Sequence, residues 1–140
     1  MREEFRQRLA DEYRLAATKM REAKQPARKL FYFSVCFGEA QRVLNWEWDR
    51  DLALIYTVAQ HVHTQINGAG QLSNVAVLPI DWAIVYEKLT EATSDLAACF
   101  EKSGDDNREE MYEILGRLAE IAYAISGNGS YLYEKGLIKL

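Results

Sequence analysis

Residues that break helices or crosslink chains are scarce in this sequence. It contains two prolines and two cysteines in 140 residues, and no predicted helix has a proline in its interior. Two cysteines cannot form a disulfide framework, and Cys36 and Cys99 both lie in apolar surroundings, as reduced core residues do. We therefore expect a cytoplasmic protein that needs no crosslink, with a disulfide between the two cysteines as the alternative.

Long apolar runs are absent as well. No segment approaches the ~18 uninterrupted apolar residues of a membrane span, and the start of the chain, Met1-Arg2-Glu3-Glu4, carries no apolar signal segment. No membrane association is predicted. Hydrophobic residues make up 49% and charged residues 27%, a balance typical of a globular chain, and 140 residues fit one domain that spans residues 1–140.

Hydrophobic periodicity predicts an all-α, single-domain bundle of about five helices. The expected helices are residues 2–24, a helix after Pro26 that ends near Asn45, residues 48–66, a helix from Pro79 to Lys102, and one that starts at Asp105 and stops before Gly127. The stretch from Arg28 to Ile66 is densest in bulky apolar residues, so we expect its two helices, separated by a break near 45–48, at the centre of a core spanning residues 27–126. One continuous helix through residues 30–66 is the alternative.

The first predicted helix, within residues 1–25, is basic and amphipathic. Its apolar residues form one narrow stripe that is partly alanine, which favours an ancillary helix that packs outside the bundle or against a twin helix in a dimer. The interaction surface predicted on this helix consists of Phe5, Leu9, Tyr13, Arg14, Met20 and Arg21.

Charge is distributed unevenly along the chain. Residues 1–30 hold nine Lys or Arg against five Asp or Glu, a balance of +4. Because the net charge of the whole chain is −4, residues 31–140 carry a net charge of −8. This asymmetry indicates either a basic helix packed on an acidic body, its own or a partner's, or a contact with nucleic acid. The acidic total favours the first interpretation.

Two apolar segments lie outside the predicted helices. Asn67 and Gly68 are expected to end the third helix, which leaves residues 67–80 as a long loop that covers one end of the core or forms a lid. Residues 127–140 are too apolar for a free tail. We expect this C-terminal strip to dock on the body or on another subunit, as a short helix or as an extended segment.

The histidines do not form a metal site. His61 and His63 are two residues apart, which places them about 200° apart around a helix, and neither follows a Glu by three residues as in carboxylate-bridged metal bundles. No metal or cofactor is therefore predicted.

Two acidic rows remain as candidates for magnesium chemistry. They are Glu87, Glu91 and Asp95 in the fourth predicted helix, and Glu109, Glu110 and Glu113 in the fifth. The second row resembles half of the acidic signature of MazG-like nucleotide pyrophosphohydrolases, a resemblance that implies Mg²⁺ held by carboxylates from two helices. The downstream Glu-x-x-Asp of that signature is missing here. Solvated helix faces explain both rows, and the first could also receive the basic N-terminal helix.

Asp51 is unusual because it lies beside a wholly apolar stripe. A half-buried carboxylate needs a partner, and Arg42, Arg50 or the basic first helix are available, so we favour a structural ion pair or a helix cap over a catalytic acid. If the bundle holds a small-ligand pocket, its predicted lining is Trp46, Trp48, Asp51, His61 and His63, with Trp82 and tyrosines nearby.

No catalytic residue is predicted from these patterns. The leading hypothesis is a non-catalytic oligomerising or adaptor protein that self-associates as a dimer or binds a protein partner. A small-ligand-binding or nucleotide-processing bundle with an aromatic pocket is the alternative. A nucleic-acid contact through the basic N-terminal helix is a further alternative that is not favoured.

Overall fold

The chain folds into five helices in a computed structural model, which describes residues 1–71, 81–102 and 107–126. The helices are α1 (Glu3–Glu22), α2 (Pro26–Trp46), α3 (Arg50–Gln71), α4 (Trp82–Glu101) and α5 (Arg108–Ser126). The described residues contain no strand, so the all-α prediction is confirmed. In these ranges no helix is long and apolar enough to cross a membrane.

Local chemistry explains the helix starts. Pro26 opens α2, where its missing N–H costs nothing. The Asp49 carboxylate accepts a hydrogen bond from the backbone N–H of Leu52 at 2.8 Å, which caps α3. The Asp81 carboxylate accepts from the backbone N–H groups of Ala83 and Ile84, so α4 begins at Trp82, later than the predicted start at Pro79.

The five helices form a closed ring of neighbours. In order around the ring, α1 packs on α2, α2 on α3, α3 on α5, α5 on α4, and α4 on α1, while α2 also touches α4 across the centre. Each helix contributes buried apolar side chains to one continuous core. Cys36 and Cys99 are buried, free thiols in that core, as the sequence predicts.

The first helix is not ancillary, and this prediction is wrong. The side chains of Leu9, Tyr13 and Met20 are at most 2% exposed, and α1 makes the most extensive helix contacts in the bundle, with α4 and α2. Its alanines, such as Ala10 and Ala17, are buried too. Small side chains let neighbouring helices approach closely. The narrow apolar stripe of α1 is therefore buried between α2 and α4.

The centre of the chain forms two helices, as predicted, with the break at residues 47–49. The third helix does not end at Asn67 and Gly68, however, and continues to Gln71. Glycine inside a helix costs only about 1 kcal/mol relative to alanine, so it weakens α3 without ending it. The rest of the loop or lid predicted at residues 67–80, namely residues 72–80, lies outside the described residues. The predicted C-terminal strip, residues 127–140, lies outside them as well.

Two leucines of α1 test whether this helix belongs to the core. Leu9 is fully buried, whereas Leu15, on the same helix, is 55% exposed. We expect Leu9→Ala to lower the free energy of unfolding by about 2–5 kcal/mol, because a buried leucine is replaced by a cavity. Leu15→Ala should change it by less than about 0.5 kcal/mol. Urea denaturation measures both, and equal small losses would show that α1 is peripheral.

Candidate functional site

The residues of the predicted ligand pocket do not come together. Trp46 and Trp48 lie at the corner between α2 and α3, whereas His61 and His63 lie well along α3. Asp51 is ten residues before His61, which separates them by roughly 15 Å along the helix axis. His61 is exposed. The structure therefore places the five residues in at least two separate regions.

His63 lies at the boundary of the core. Its ring meets Phe37 edge to face, with the ring centroids 5.3 Å apart. Burial lowers the pKa of His63, because the charged imidazolium loses water. Together with the exposed His61 it flanks the buried Val62, which is the arrangement expected of boundary histidines.

Asp51 forms the structural ion pair that was expected, but mainly with another partner. Its carboxylate accepts from Arg108 Nε at 3.0 Å and from the Tyr112 hydroxyl at 3.1 Å, while Arg50 Nε lies 3.7 Å away. These bonds connect α3 to α5. A cavity of about 340 Å³ lies beside the pair, with Arg6 and Met111 in its lining.

A second acidic residue, Glu39, is far more deeply buried than Asp51, and the sequence patterns do not predict its ion pairs. Its side chain is 1% exposed. One carboxylate oxygen accepts from Arg8 Nε of α1, and the other accepts from Arg42 Nη1 at 2.7 Å. The signal was present, since Glu39 stands three residues after Cys36 and four before Val43, on the buried face of α2.

The neighbourhood of Glu39 is poor in reactive chemistry. The Tyr13 hydroxyl is buried and has no hydrogen-bond partner among the described residues, and its ring meets Phe100 edge to face at 5.0 Å. Burial raises the pKa of Tyr13, and the nearby Cys36 and Glu39 raise it further. Burial also raises the pKa of the Cys36 thiol well above its ordinary value, so Cys36 is not an activated nucleophile.

The largest exposed apolar side chains lie at one corner of the bundle. We call Arg42, Trp46, Trp48 and Arg50 the tryptophan corner. Trp46 is 77% exposed and Trp48 is 75% exposed, more than any other large apolar side chain that the structure describes. Both indoles therefore present most of their surface to solvent.

The backbone beneath these indoles is anchored to the start of the chain. Glu47, between the two tryptophans, accepts from the backbone N–H of Arg2 at 3.1 Å and from Arg2 Nε at 3.0 Å. The N-terminal ammonium group lies 3.5 Å from the same carboxylate. These cationic partners lower the pKa of Glu47, so the carboxylate stays ionised and the anchor persists near neutral pH.

The predicted interaction surface on α1 divides between interior and exterior. Leu9, Tyr13 and Met20 lie in the protein's own core, and Phe5 packs against it. Arg14 and Arg21 are exposed, and Arg14 pairs with Asp11 and Glu101. The apolar part of that surface is thus used internally.

The arrangement defines an all-α bundle of five described helices with a buried ionic cluster and an exposed aromatic corner. No protein-family model, curated protein or solved structure matches the chain. Among the described residues, no group of three or more His, Cys, Asp or Glu side chains is arranged to hold a metal ion.

A double-mutant cycle tests the Glu39 cluster. Arg8→Ala or Arg42→Ala leaves the carboxylate one cationic partner, whereas the double variant leaves it buried and unpaired, a state that costs about 3–5 kcal/mol. We expect the double variant to lose more stability in urea denaturation than the two single losses combined. Adding Glu39→Met to the double variant should recover much of the loss. Strictly additive losses would contradict the shared pairing.

The pKa of His63 can be read from the NMR titration of its ring protons. We expect a midpoint below the ordinary value of 6.5, because the folded protein buries the ring. The unfolded chain then takes up a proton more readily, so stability should fall as the pH drops below 6.5. Phe37→Ala should move the midpoint back toward 6.5. A wild-type midpoint at or above 6.5 would refute this assignment.

Proposed function

We propose that the protein is a non-catalytic interaction protein that self-associates through the tryptophan corner. The observation that supports this function is the 77% and 75% exposure of two tryptophans separated by one residue. Large apolar surfaces left in water usually serve a contact, and tryptophan and arginine are enriched among the residues that dominate binding energy. Arg42 precedes Trp46 by one helical turn and Arg50 follows Trp48 closely, so both residue types are present.

The corner is ordered before any partner binds. Glu47 holds the segment to Arg2, and Asp49 caps α3 immediately afterwards. A contact surface on fixed backbone loses less conformational entropy on association than a mobile one does. The indoles can therefore contribute most of their burial energy to binding.

A second copy of the chain is the partner that the local charges favour. A two-fold dimer brings the same patch of both subunits together, so the patch must be complementary to itself. The corner and its neighbour α1 expose both signs of charge, with Arg50 76% and Glu4 70% exposed. Opposite charges can then face each other across the two-fold axis.

The size of the corner predicts a weak dimer. A tryptophan buries about 150–250 Å² when covered, so four of them bury on the order of 600–1,000 Å². Stable interfaces bury about 1,200–2,000 Å² in total. Association through this corner should therefore depend strongly on protein concentration.

The cations of α1 argue against a nucleic-acid contact through that helix. Arg8 pairs with Glu39, Arg14 pairs with Glu101, and Arg6 donates to the Glu101 carbonyl at 2.9 Å. Two cations of α1 are thus paired with acidic residues of α2 and α4, which supports a basic helix packed on its own acidic body over a nucleic-acid contact.

Sedimentation velocity over a concentration series tests the proposal. We expect the wild-type chain to show a reversible monomer–dimer equilibrium, and Trp46→Ser with Trp48→Ser to remove it, because most of the apolar contact is lost. Phe31→Ser is the matched control: Phe31 is 60% exposed on the same helix α2 but lies near its opposite end, so dimerisation should persist. A wild-type chain that stays monomeric, or a double variant that dimerises like wild type, would refute self-association through this corner.

A further inference from the structure

An open cleft of about 650 Å³ lies at the opposite end of α2 from the tryptophan corner. It forms where the C-terminal end of α1 and the start of α2 meet the first half of α4. This volume is within the range of about 300–1,000 Å³ that small-molecule sites occupy. The lining residues that matter here are Arg21, Lys24, Trp82, Tyr86, Glu87 and Glu91.

The two sides of the cleft carry opposite charges that do not meet. Arg21 and Lys24 stand on the α1 side, and Glu87 and Glu91 stand on α4. Within the ranges that the structure describes, none of these four side chains makes an ion pair. Further along α4, by contrast, opposite charges do form an ion pair: Arg117 of α5 lies 2.7 Å from the Asp95 carboxylate. The cleft thus leaves both signs of charge available to a ligand.

An aromatic pair supplies the apolar part of the cleft. Trp82 is partly exposed, and its ring centroid lies 6.4 Å from that of Tyr86, with the two planes tilted by 38°. Trp82 therefore offers a ring surface on which a flat molecule can stack. Lys29, which also borders the cleft, is already used: its Nζ donates to the Met20 carbonyl at 2.6 Å and closes the end of α1.

We propose that this cleft binds a nucleoside monophosphate, a flat base with N–H donors joined through a sugar to a phosphate. The phosphate meets Arg21 and Lys24, and a guanidinium group is well suited to two-point contact with phosphate. The base stacks on Trp82. Its amino group donates to Glu87 or Glu91, which accept hydrogen bonds and repel anions, so the phosphate is directed to the α1 side.

The charge pattern also distinguishes this ligand from simpler ones. Inorganic phosphate or ribose 5-phosphate meets the two cations but gains nothing from Trp82 and is repelled by the two carboxylates. Adenosine meets the ring and the carboxylates but leaves the cations unused. Tight binding therefore needs both the phosphate and the base in one ligand.

Isothermal titration calorimetry of the full chain with AMP, adenosine, ribose 5-phosphate and inorganic phosphate tests the site. We expect saturable binding of AMP, weaker binding of adenosine, and the weakest binding of the two base-free phosphates. Arg21, Lys24, Glu87 and Glu91 are all exposed, so variants at these four positions should fold. Thermal denaturation of each variant verifies this.

Double variants on each side of the cleft test which part of the ligand that side binds. Arg21→Gln with Lys24→Gln should weaken AMP binding by about tenfold or more and leave adenosine binding unchanged, since only the phosphate contacts are lost. Glu87→Gln with Glu91→Gln should weaken adenosine binding. Arg28→Gln, an exposed cation of α2 outside the lining, is the matched control and should leave both unchanged.

Three results would overturn the proposal. They are an absence of saturable AMP binding, inorganic phosphate that binds as tightly as AMP, and AMP affinity that neither pair of variants alters. None of these results depends on self-association, because the cleft and the tryptophan corner share no residue.

Discussion

A carboxylate in a protein interior must be matched by positive charge, and this constraint fixes how the first two helices meet. Glu39 is 1% exposed, and the two arginines that neutralise it come from different helices, with side chains 58% and 69% exposed. The buried charge is thus tied to cations that keep contact with water, which limits their desolvation cost. Because Arg8 of α1 reaches Glu39 of α2, this ion pair favours a narrow range of positions for α1 on α2. That docking buries Tyr13 and places the rest of the apolar stripe of α1 against α4.

The same docking positions the two ends of the bundle. At one end the start of the chain lies beside the turn between α2 and α3, where Arg2 holds Glu47 and the indoles of the tryptophan corner face outward. At the other end the last turn of α1 faces the beginning of α4 across the charged cleft. The 21 residues of α2 separate these regions by roughly 30 Å. The proposed contact surface and the proposed small-molecule site therefore do not compete for space.

Periodicity was sufficient to predict the helices, because burying one apolar face is what stabilises them. The spacing of Leu52, Ile55, Ala59 and Val62 located α3, and all four side chains are buried. The role of α1 was not predictable in the same way, since alanines at helix contacts carry little hydrophobic signal and the partner helix is unknown from the sequence. The predicted end of α3 at Asn67 and Gly68 is too early, because the helix continues through Gly68 and Gly70 to Gln71.

The partners of the buried carboxylates could not be predicted from the sequence. Asp51 was recognised as a half-buried carboxylate, but Arg108 lies 57 residues away and only the fold brings them together. Glu39 was hidden inside a stretch that is apolar on nearly every side, and its partner Arg8 is 31 residues away. Trp46 and Trp48 are predicted as pocket residues because aromatic side chains line ligand pockets, but such side chains suit contact surfaces as well. Their exposure of 77% and 75% cannot be read from the sequence.

Native-state hydrogen exchange of the wild-type chain tests the claim that α1 is a core helix held by Glu39 most directly. If the claim holds, amides within residues 9–20 of α1 exchange with the same opening free energy as amides within residues 89–100 of α4, because both open only when the whole bundle unfolds. If the residues of α1 exchange through a separate opening of lower free energy while α4 stays protected, α1 is a detachable helix that Glu39 does not hold in the core.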